Sequence, residues 1–188
     1  CVPDVVVKIG GGLLATAGDL DRVMAAIPAL ARYRRLLVVP GGGPFADAVR
    51  AVDRDLGIPA DAAHWMAVLA MDQYAHLLAA RLPGASVVSS LDQARKALDA
   101  RRIPVLAPSN WLQNEDPLPH TWDVTSDSIA AWIADAAGAR EIVLVKPRGA
   151  TGCLVDPLFT QIVPSHLEAS IIPVDQVDAA FGLVCQRK

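Results

Sequence analysis

The chain has 188 residues, which is enough for one well-filled α/β domain and too few for two ordinary ones. Hydrophobic residues make up 53% of it and charged residues 20%, a balance that excludes a disordered chain and suits a sheet buried on both faces. The formal net charge of −3 excludes a broad basic field for nucleic acid or anionic lipid. We therefore predict a single domain over residues 1–188 that binds any phosphate group locally.

Cysteines and histidines are too scattered along the chain to indicate a metal site. The three cysteines are odd in number and far apart, and neither they nor the four histidines show the spacing of metal ligands. We expect the histidines to be surface or partly buried residues. No apolar run approaches the roughly 18 residues of a membrane-spanning helix, and no signal peptide is visible. These features predict a cytoplasmic protein whose side chains hold no metal.

Strands and helices alternate in the first half of the chain, and two of the strands end at a run of three glycines. The strands are short aliphatic runs, whereas the helices carry apolar residues at helical spacing. Gly57 and Pro83-Gly84 follow two of the helices as stop signals. The pattern predicts strands over residues 5–9 and 36–39 and helices over residues 19–32, 45–56 and 61–82.

The second half of the chain continues the alternation. Pro117 and Pro119 interrupt a polar stretch that is typical of a surface loop. Thr125, Ser126 and Asp127 then supply the hydroxyls and carboxylate that accept hydrogen bonds at a helix start. The pattern predicts strands over residues 85–89, 103–107 and 142–145, helices over 91–101 and 125–137, and loops over 110–122 and 149–152. Together the elements predict a three-layer αβα sandwich with a mostly parallel central sheet.

The two glycine runs, Gly10-Gly11-Gly12 and Gly41-Gly42-Gly43, follow buried strands. Ligands of open parallel sheets bind beyond the carboxyl ends of the strands, and glycine lets a phosphate approach the backbone N–H groups without a Cβ between them. The alternative is a tight turn, which needs one glycine but rarely three. Neither run has the Gly-Lys-Ser/Thr ending of a P-loop or the Gly-x-Gly-x-x-Gly spacing of a dinucleotide site. We predict that both runs hold phosphate groups.

Three charged residues are candidates for the chemistry. Lys8 and Lys146 each stand at the end of a buried strand, where a charge is costly unless it faces a polar site. Two lysines on one anion would supply the charge neutralisation that phosphoryl transfer requires. Asp127 stands at a helix start and is a candidate to hold the lysines in place. The alternatives are lysines that extend into solvent and a carboxylate that only caps its helix.

These segments together resemble those of the amino acid kinase superfamily, in order and in spacing over nearly the whole chain. Residues 8–12 look like its Lys-x-Gly-Gly-Ser opening, residues 41–43 like its substrate loop, and residues 125–130 like the segment that bears its organising aspartate. Residues 142–159 resemble its nucleotide-binding strand and loop. The resemblance implies an amino acid kinase-like (carbamate kinase-like) fold and an ATP-dependent kinase that uses Mg²⁺, and a homodimer or larger homo-oligomer.

The resemblance also implies a role for each candidate residue. The catalytic residues would be Lys8, Asp127 and Lys146. The nucleotide and its transferring phosphoryl group would lie near Gly10, Gly11, Gly12, Gly149 and Asp156. The phosphoryl acceptor would lie near Gly41, Gly42, Gly43, Thr125 and Ser126.

Residues 122–132 look most like the small kinases linked to tetrahydromethanopterin and methanofuran biosynthesis, which implies a phosphorylated or carboxylated acceptor such as aminomethylfuran phosphate. Pro40 stands where isopentenyl phosphate kinases carry histidine, which argues against that branch. Gly12 replaces the usual serine, residues 147–151 replace an acidic Asp-x-Asp-Gly stretch, and the chain ends where relatives often continue. These departures from the family pattern leave open an interpretation in which catalysis is weakened or lost. The alternatives are a uridylate or amino-acid kinase and a non-catalytic anion-binding protein like the molybdenum-storage branch.

Overall fold

The computed structural model describes residues 1–152 and 154–186 of the chain. Its strands are β1 (Val5–Ile9), β2 (Leu36–Pro40), β3 (Ala85–Val88), β4 (Ile103–Leu106), β5 (Glu141–Lys146) and β6 (Glu168–Pro173). Its α-helices are α1 (Asp19–Ala31), α2 (Gly43–Leu56), α3 (Ala60–Arg81), α4 (Leu91–Asp99), α5 (Ser109–Glu115), α6 (Ser126–Ala137), α7 (Phe159–Ile162) and α8 (Val177–Gln186). Short 3-10 turns lie at Gly11–Leu14 and Val174–Gln176.

The six strands form one sheet in the order β3-β4-β2-β1-β5-β6, and every neighbouring pair is parallel. Helices cover both faces, so the predicted three-layer α/β sandwich is confirmed. One core cluster packs α1 and α8 on one face, and the other packs α4 and α6 on the opposite face, while α3 contributes to both. None of the helices in residues 1–152 and 154–186 is both long and apolar enough to cross a lipid bilayer.

Side-chain alternation along β1 sets up the site. Val5, Val7 and Ile9 pack into the cluster with α1, whereas Val6 packs into the cluster with α6. Because successive strand residues face opposite sides of a sheet, Lys8 shares the α6 face with Val6. Ile142 and Leu144 also pack against α6, so the next residue of that set, Lys146, lies on the same face. Both lysines therefore meet the start of α6.

The loop predicted over residues 110–122 is wrong in its first half, where the chain forms α5. Ser109 begins this helix by donating its backbone N–H to the Asp72 carboxylate of α3 at 3.1 Å. Leu112 is buried, and the ring of Trp111 lies 5.3 Å from that of Trp132 on α6. Pro117 and Pro119 come only after the helix, so they end it instead of preventing it.

The elements after residue 158 were not predicted. β6 pairs with β5 along its whole length, but its residues alternate little in hydrophobicity because half of this edge strand is exposed. Cys1 is a free thiol, whereas Cys153 and the side chain of Cys185 lie outside the described residues. The single domain over residues 1–188 also stays a prediction, since residues 187 and 188 are not described either.

Candidate active site

A carboxylate bridges two ammonium groups at the carboxyl edge of the sheet. Lys8 Nζ donates to Asp127 Oδ1 at 2.7 Å, and Lys146 Nζ donates to Asp127 Oδ2 at 2.6 Å. Lys8 is 3% exposed and Asp127 is 4% exposed. The predicted position of Asp127 between the two lysines is thus confirmed, and the alternative that Lys8 extends into solvent is wrong.

Burial and charge act in opposite directions on these groups. Burial lowers the pKa of Lys8, and the positive charge of Lys146 lowers it further, while the Asp127 carboxylate opposes both effects. Burial alone would raise the pKa of Asp127, but the charges and hydrogen bonds of Lys8 and Lys146 outweigh it and hold that pKa below its usual value. Asp127 is therefore an ionised carboxylate that keeps two cations side by side.

Asp156 fixes the start of α6 by accepting hydrogen bonds from its first residues. Its Oδ2 accepts hydrogen bonds from the N–H of Thr125 at 3.0 Å, the hydroxyl of Thr125 at 2.7 Å and the N–H of Ser128 at 3.1 Å. Its Oδ1 accepts from the Ser128 hydroxyl and from the N–H groups of Leu158 and Phe159. The Thr125 hydroxyl in turn accepts from the N–H of Asp127, so this network orients the carboxylate that bridges the lysines.

The glycine runs supply backbone donors to the same place. Gly10 donates its N–H to Val145 and Gly41 donates to Ile9, so these two amides close the strand ends. Among residues 1–152 and 154–186, no acceptor is recorded for the N–H groups of the four remaining glycines, which are Gly11, Gly12, Gly42 and Gly43. Unpaired amides beside two lysines are the donor set of an anion site.

The two runs touch each other, which explains why each contains more than one glycine. A Cβ on Gly11 would lie 2.1 Å from the backbone nitrogen of Gly43, a distance that real Cβ atoms do not show. Gly43 itself has a φ of 56°, in the left-handed region that favours glycine. Close approach of the two loops therefore requires Gly11 and Gly43 whatever they bind, a packing reason that the alternative of a tight turn did not include.

A cavity of about 480 Å³ opens from this point between α2, α3 and the segment before α6. At its inner end it is lined by Lys8, Gly11, Gly12, Gly42, Gly43, Thr125, Ser126, Asp127 and Lys146. The predicted site residues that do not line it are Gly10, Gly41, Gly149 and Asp156. The sequence thus predicted residues that the fold brings together, while the functional role of each stays a prediction.

The outer end of the cavity is built from residues that sequence analysis did not select. Trp122 Nε1 donates to Asp53 Oδ2 at 2.7 Å, and the Arg50 guanidinium lies 5.0 Å from the centre of the Trp122 ring. Arg50 also pairs with Asp47 at 2.7 Å. Asp53 holds the indole N–H of Trp122 and Arg50 lies over its ring, so the tryptophan forms a flat wall with charged neighbours at this end of the cavity.

Two stacked histidines complete the outer end. The rings of His64 and His120 lie 4.0 Å apart, and His120 contacts the carboxylates of Asp61 and Asp116 at 2.7 and 2.8 Å. Because carboxylates only accept, both ring nitrogens of His120 donate, as in the imidazolium form. The hydrogen bond to Asp61 raises the pKa of His120, whereas burial and the neighbouring charge of His120 lower that of His64.

The altered segment at residues 147–151 turns away from the cavity. Its Arg148 donates through Nε to Asp19 at 2.7 Å, at the start of α1, and Arg148 does not line the cavity. Asp19 is fully buried, and its Oδ2 has no partner within the part of the chain that the structure describes. The hydrogen bond from Arg148 lowers the pKa of Asp19.

Fold and site define an α/β protein in which two lysines and two glycine loops surround one carboxylate at the carboxyl edge of the sheet. The model of the Amino acid kinase family matches residues 4–147. The chain belongs to the amino acid kinase family.

Two curated relatives are small-molecule kinases. The [5-(aminomethyl)furan-3-yl]methyl phosphate kinase of Methanocaldococcus jannaschii is 30% identical over 139 residues, which are 74% of this chain and 63% of that protein. The uridylate kinase of Methanothrix thermoacetophila is 30% identical in an alignment of 145 residues that covers 74% of this chain and 60% of that protein. The chain therefore spans less than two thirds of the length of these relatives.

Solved structures confirm the fold. The uridylate kinase of Archaeoglobus fulgidus aligns with a TM-score of 0.72 at 18% identity and covers 95% of both chains. The UMP kinase of Ureaplasma parvum aligns with a TM-score of 0.74 at 16% identity, over 98% of this chain and 95% of the other. At this identity the likeness shows the amino acid kinase fold and not the substrate.

Proposed function

We propose that the chain is an ATP-dependent phosphotransferase that acts on a small phosphorylated or carboxylated metabolite, with [5-(aminomethyl)furan-3-yl]methyl phosphate as the leading candidate acceptor. The observation that carries the proposal is the contact of Lys8 and Lys146 with one carboxylate beside the glycine loops. Phosphoryl transfer needs positioning and charge neutralisation more than covalent chemistry, and this arrangement supplies both. The acceptor is suggested by the kinase of M. jannaschii.

Each residue has a distinct task in the proposed reaction. Lys8 and Lys146 neutralise the transferring phosphoryl group, with Gly11 and Gly12 as backbone donors. Asp127 keeps the two ammonium groups in position and is a poor base, because both ammonium groups hold its pKa below the usual value. On the acceptor side, the proposed contacts are Gly42, Gly43, Thr125 and Ser126.

The donor set fits a nucleotide phosphate, since four unpaired amides and two cations suit an anion. The nucleotide is proposed to extend toward Gly149, and Mg²⁺ to neutralise its phosphates when bound with it. Within the described residues, no group of three or more His, Cys, Asp or Glu side chains is placed to hold a metal, so the proposal leaves Mg²⁺ on the phosphates. Asp156, predicted to lie near ATP, is proposed to act through Thr125 and α6 instead.

A panel assay tests the proposal. The purified chain is incubated with ATP, Mg²⁺ and one acceptor at a time: the aminomethylfuran phosphate, UMP, glutamate or aspartate, and ADP release is measured. The expected result is ADP release with the aminomethylfuran phosphate well above that of a Lys8→Ala variant. Turnover with UMP or an amino acid instead would support the uridylate or amino-acid kinase alternative, to which the relative of M. thermoacetophila points.

A non-catalytic anion-binding protein is the second candidate. The observation that favours it is Arg148, which replaces an acidic part of the family pattern and contacts Asp19 instead of the cavity. Binding of ATP without ADP release from any acceptor in the panel would support this candidate and contradict the kinase.

The homodimer or larger oligomer and the cytoplasmic location stay predictions. We also predicted an oligomer from the apolar residues of the helices at 19–32 and 61–82, but for α1 this reasoning is wrong, because Val23, Ile27 and Leu30 are buried within the chain. The apolar residues of α3 give better support, since Met66 is 37% exposed and Leu69 is 45% exposed on that helix. Light scattering at micromolar concentration is expected to give at least twice the mass of one chain, and a monomer mass would contradict the prediction.

A further inference from the structure

The outer end of the cavity contains a carboxylate with unused capacity. Asp53 Oδ2 accepts the hydrogen bond from Trp122, whereas no partner of Oδ1 is recorded among residues 1–152 and 154–186. The neighbouring cation, Arg50, already pairs with Asp47 and lies against the Trp122 ring. Asp53 thus lines the cavity as an acceptor that is held in place by Trp122 and is not neutralised by an ion pair within the described chain.

The charges at the two ends of the cavity are paired differently. The inner end carries the ammonium groups of Lys8 and Lys146 around one carboxylate. At the outer end Arg50 pairs with Asp47 and His120 contacts Asp61 and Asp116, so Asp53 is the lining carboxylate without a paired cation among the described residues. Asp53 follows Gly43 by ten residues on α2, and a rise of about 1.5 Å per residue places them about 15 Å apart along the helix axis. That span accommodates a phosphate, a small ring and a short side arm in line.

We infer that Asp53 is a specificity-determining residue that binds a cationic amine on the non-reacting end of the acceptor. The inference rests on the proposed function, because it takes the inner end as the place of phosphoryl transfer. An ammonium group forms a charge-assisted hydrogen bond with a carboxylate, and Trp122 keeps Asp53 from rotating out of the cavity. A ring between the two charged ends then lies along the wall that Trp122 and His64 form.

The same arrangement selects against acceptors without a cation. A neutral ring such as the uracil of UMP offers carbonyl oxygens and one uncharged N–H group, so Asp53 would lose the charge-assisted hydrogen bond that an ammonium group supplies. Leaving a desolvated polar group without a partner costs more free energy than a good hydrogen bond contributes. This penalty discriminates between phosphoryl acceptors with and without an amine. Asp53 therefore favours ring phosphates that carry an amine.

Asp53→Asn tests the inference sharply, because the asparagine side chain still accepts the hydrogen bond from Trp122 but has no charge. The matched control is Asp55→Asn, since Asp55 lies on the same helix, is exposed and does not line the cavity. The acceptors are [5-(aminomethyl)furan-3-yl]methyl phosphate and its analogue with a methyl group in place of the aminomethyl group. KM and kcat are measured for both.

With the amine acceptor, Asp53→Asn is expected to raise KM by about tenfold or more, the usual effect of losing a hydrogen bond to a charged group, at nearly unchanged kcat. With the methyl analogue the variant is expected to equal the wild type, and Asp55→Asn is expected to change neither acceptor. An equal effect of Asp53→Asn on both acceptors, or no effect on either, would overturn the inference and leave the kinase intact.

Direct binding separates this inference from the proposed function. If the wild type releases no ADP with either acceptor, calorimetry of the two phosphates still measures whether the amine is recognised. Tighter binding of the amine acceptor that is lost in Asp53→Asn would support Asp53 while the kinase fails. Equal binding of both phosphates, or none, would overturn the inference.

Discussion

The two ends of the cavity differ in how their charges are satisfied. At the inner end Lys8 and Asp127 are almost fully buried, and both oxygens of Asp127 are used. At the outer end the side chains of Arg50 and Asp61 are exposed, and one oxygen of Asp53 has no partner within the described part of the chain. A buried, fully paired cluster is rigid and suits chemistry, whereas exposed, partly paired groups adapt to a ligand at little cost. The difference suggests that the inner end transfers the phosphoryl group and the outer end chooses the acceptor.

The largest effect is expected at the inner end. Lys8→Ala is expected to lower kcat by about a hundredfold or more, since a preorganised donor of this kind contributes several kcal/mol to a transition state. Lys8→Met keeps the side-chain volume and is expected to lose as much activity, which separates charge from packing. Steady-state kinetics with the preferred acceptor measure the change, and exposed Lys96→Ala serves as control. Full activity in both Lys8 variants would show that the inner end of the cavity is not the site of phosphoryl transfer.

Asp127→Asn is expected to affect turnover and stability together. Removing one partner of a buried ion pair costs about 3–5 kcal/mol, because Lys8 is left buried without a counter-charge. The pKa of Asp127 is lowered in the folded chain, so its stabilising effect is present above pH 3.8 and is lost as the pH falls through that lowered pKa. Urea unfolding measures the loss, with Asp135→Asn on the exposed face of the same helix as control. Unchanged stability and turnover would reduce Asp127 to a helix cap.

The inner end was predictable because its residues belong to local patterns. Lys8 and Lys146 interrupt or end apolar strands, and Asp127 follows a capping threonine, so parallel strands bring them to one edge of the sheet. Strand alternation alone then places both lysines on the α6 face. The packing role of Gly11 against Gly43 was not predictable, since it depends on how closely the two loops approach each other.

The outer end was not predictable because it is assembled from contacts between distant surface residues. Trp122 contacts Asp53 across 69 residues of sequence and His120 contacts Asp61 across 59, and helix periodicity marks such residues only as solvent-facing. The helix α5, which sets the path of residues 116–124, was missed because its capping partner, Asp72, lies on another helix. One signal of this end was available in the sequence. Asp47, Arg50 and Asp53 are spaced three residues apart, which places these charged side chains on one face of α2.

Nucleotide binding distinguishes the two ends by a smaller effect. ATP with Mg²⁺ is expected to stabilise the folded chain by about 2.7 kcal/mol at a hundredfold excess over Kd, because a ligand of the folded state adds RT ln(1 + [L]/Kd). Thermal unfolding with and without acceptor measures the shift. Lys146→Ala is expected to lose most of it and Trp122→Ala to keep it. No stabilisation at millimolar nucleotide would count against nucleotide binding. Loss of the stabilisation in both variants would contradict separate roles for the inner and outer ends of the cavity.

The smallest effect concerns the charge of His120 at the outer end. The groups that face it are Asp61 and Asp116, which raise its pKa, and His64, whose own pKa is lowered by burial and by the charge of His120. A raised folded pKa gives stability that is fully present below the ordinary value of 6.5 and is lost as the pH rises through the raised value. The lowered pKa of His64 reduces the stability of the folded chain only below pH 6.5. A change in stability above pH 6.5 is therefore due to His120. In urea unfolding at stepped pH, the wild type is expected to lose a small part of its stability above pH 6.5 relative to His120→Gln, with His76→Gln as control. Identical pH profiles of wild type and His120→Gln would show that the contacts with Asp61 and Asp116 do not hold a proton on the ring, and the outer end would then owe its shape to the Trp122 contact with Asp53 alone.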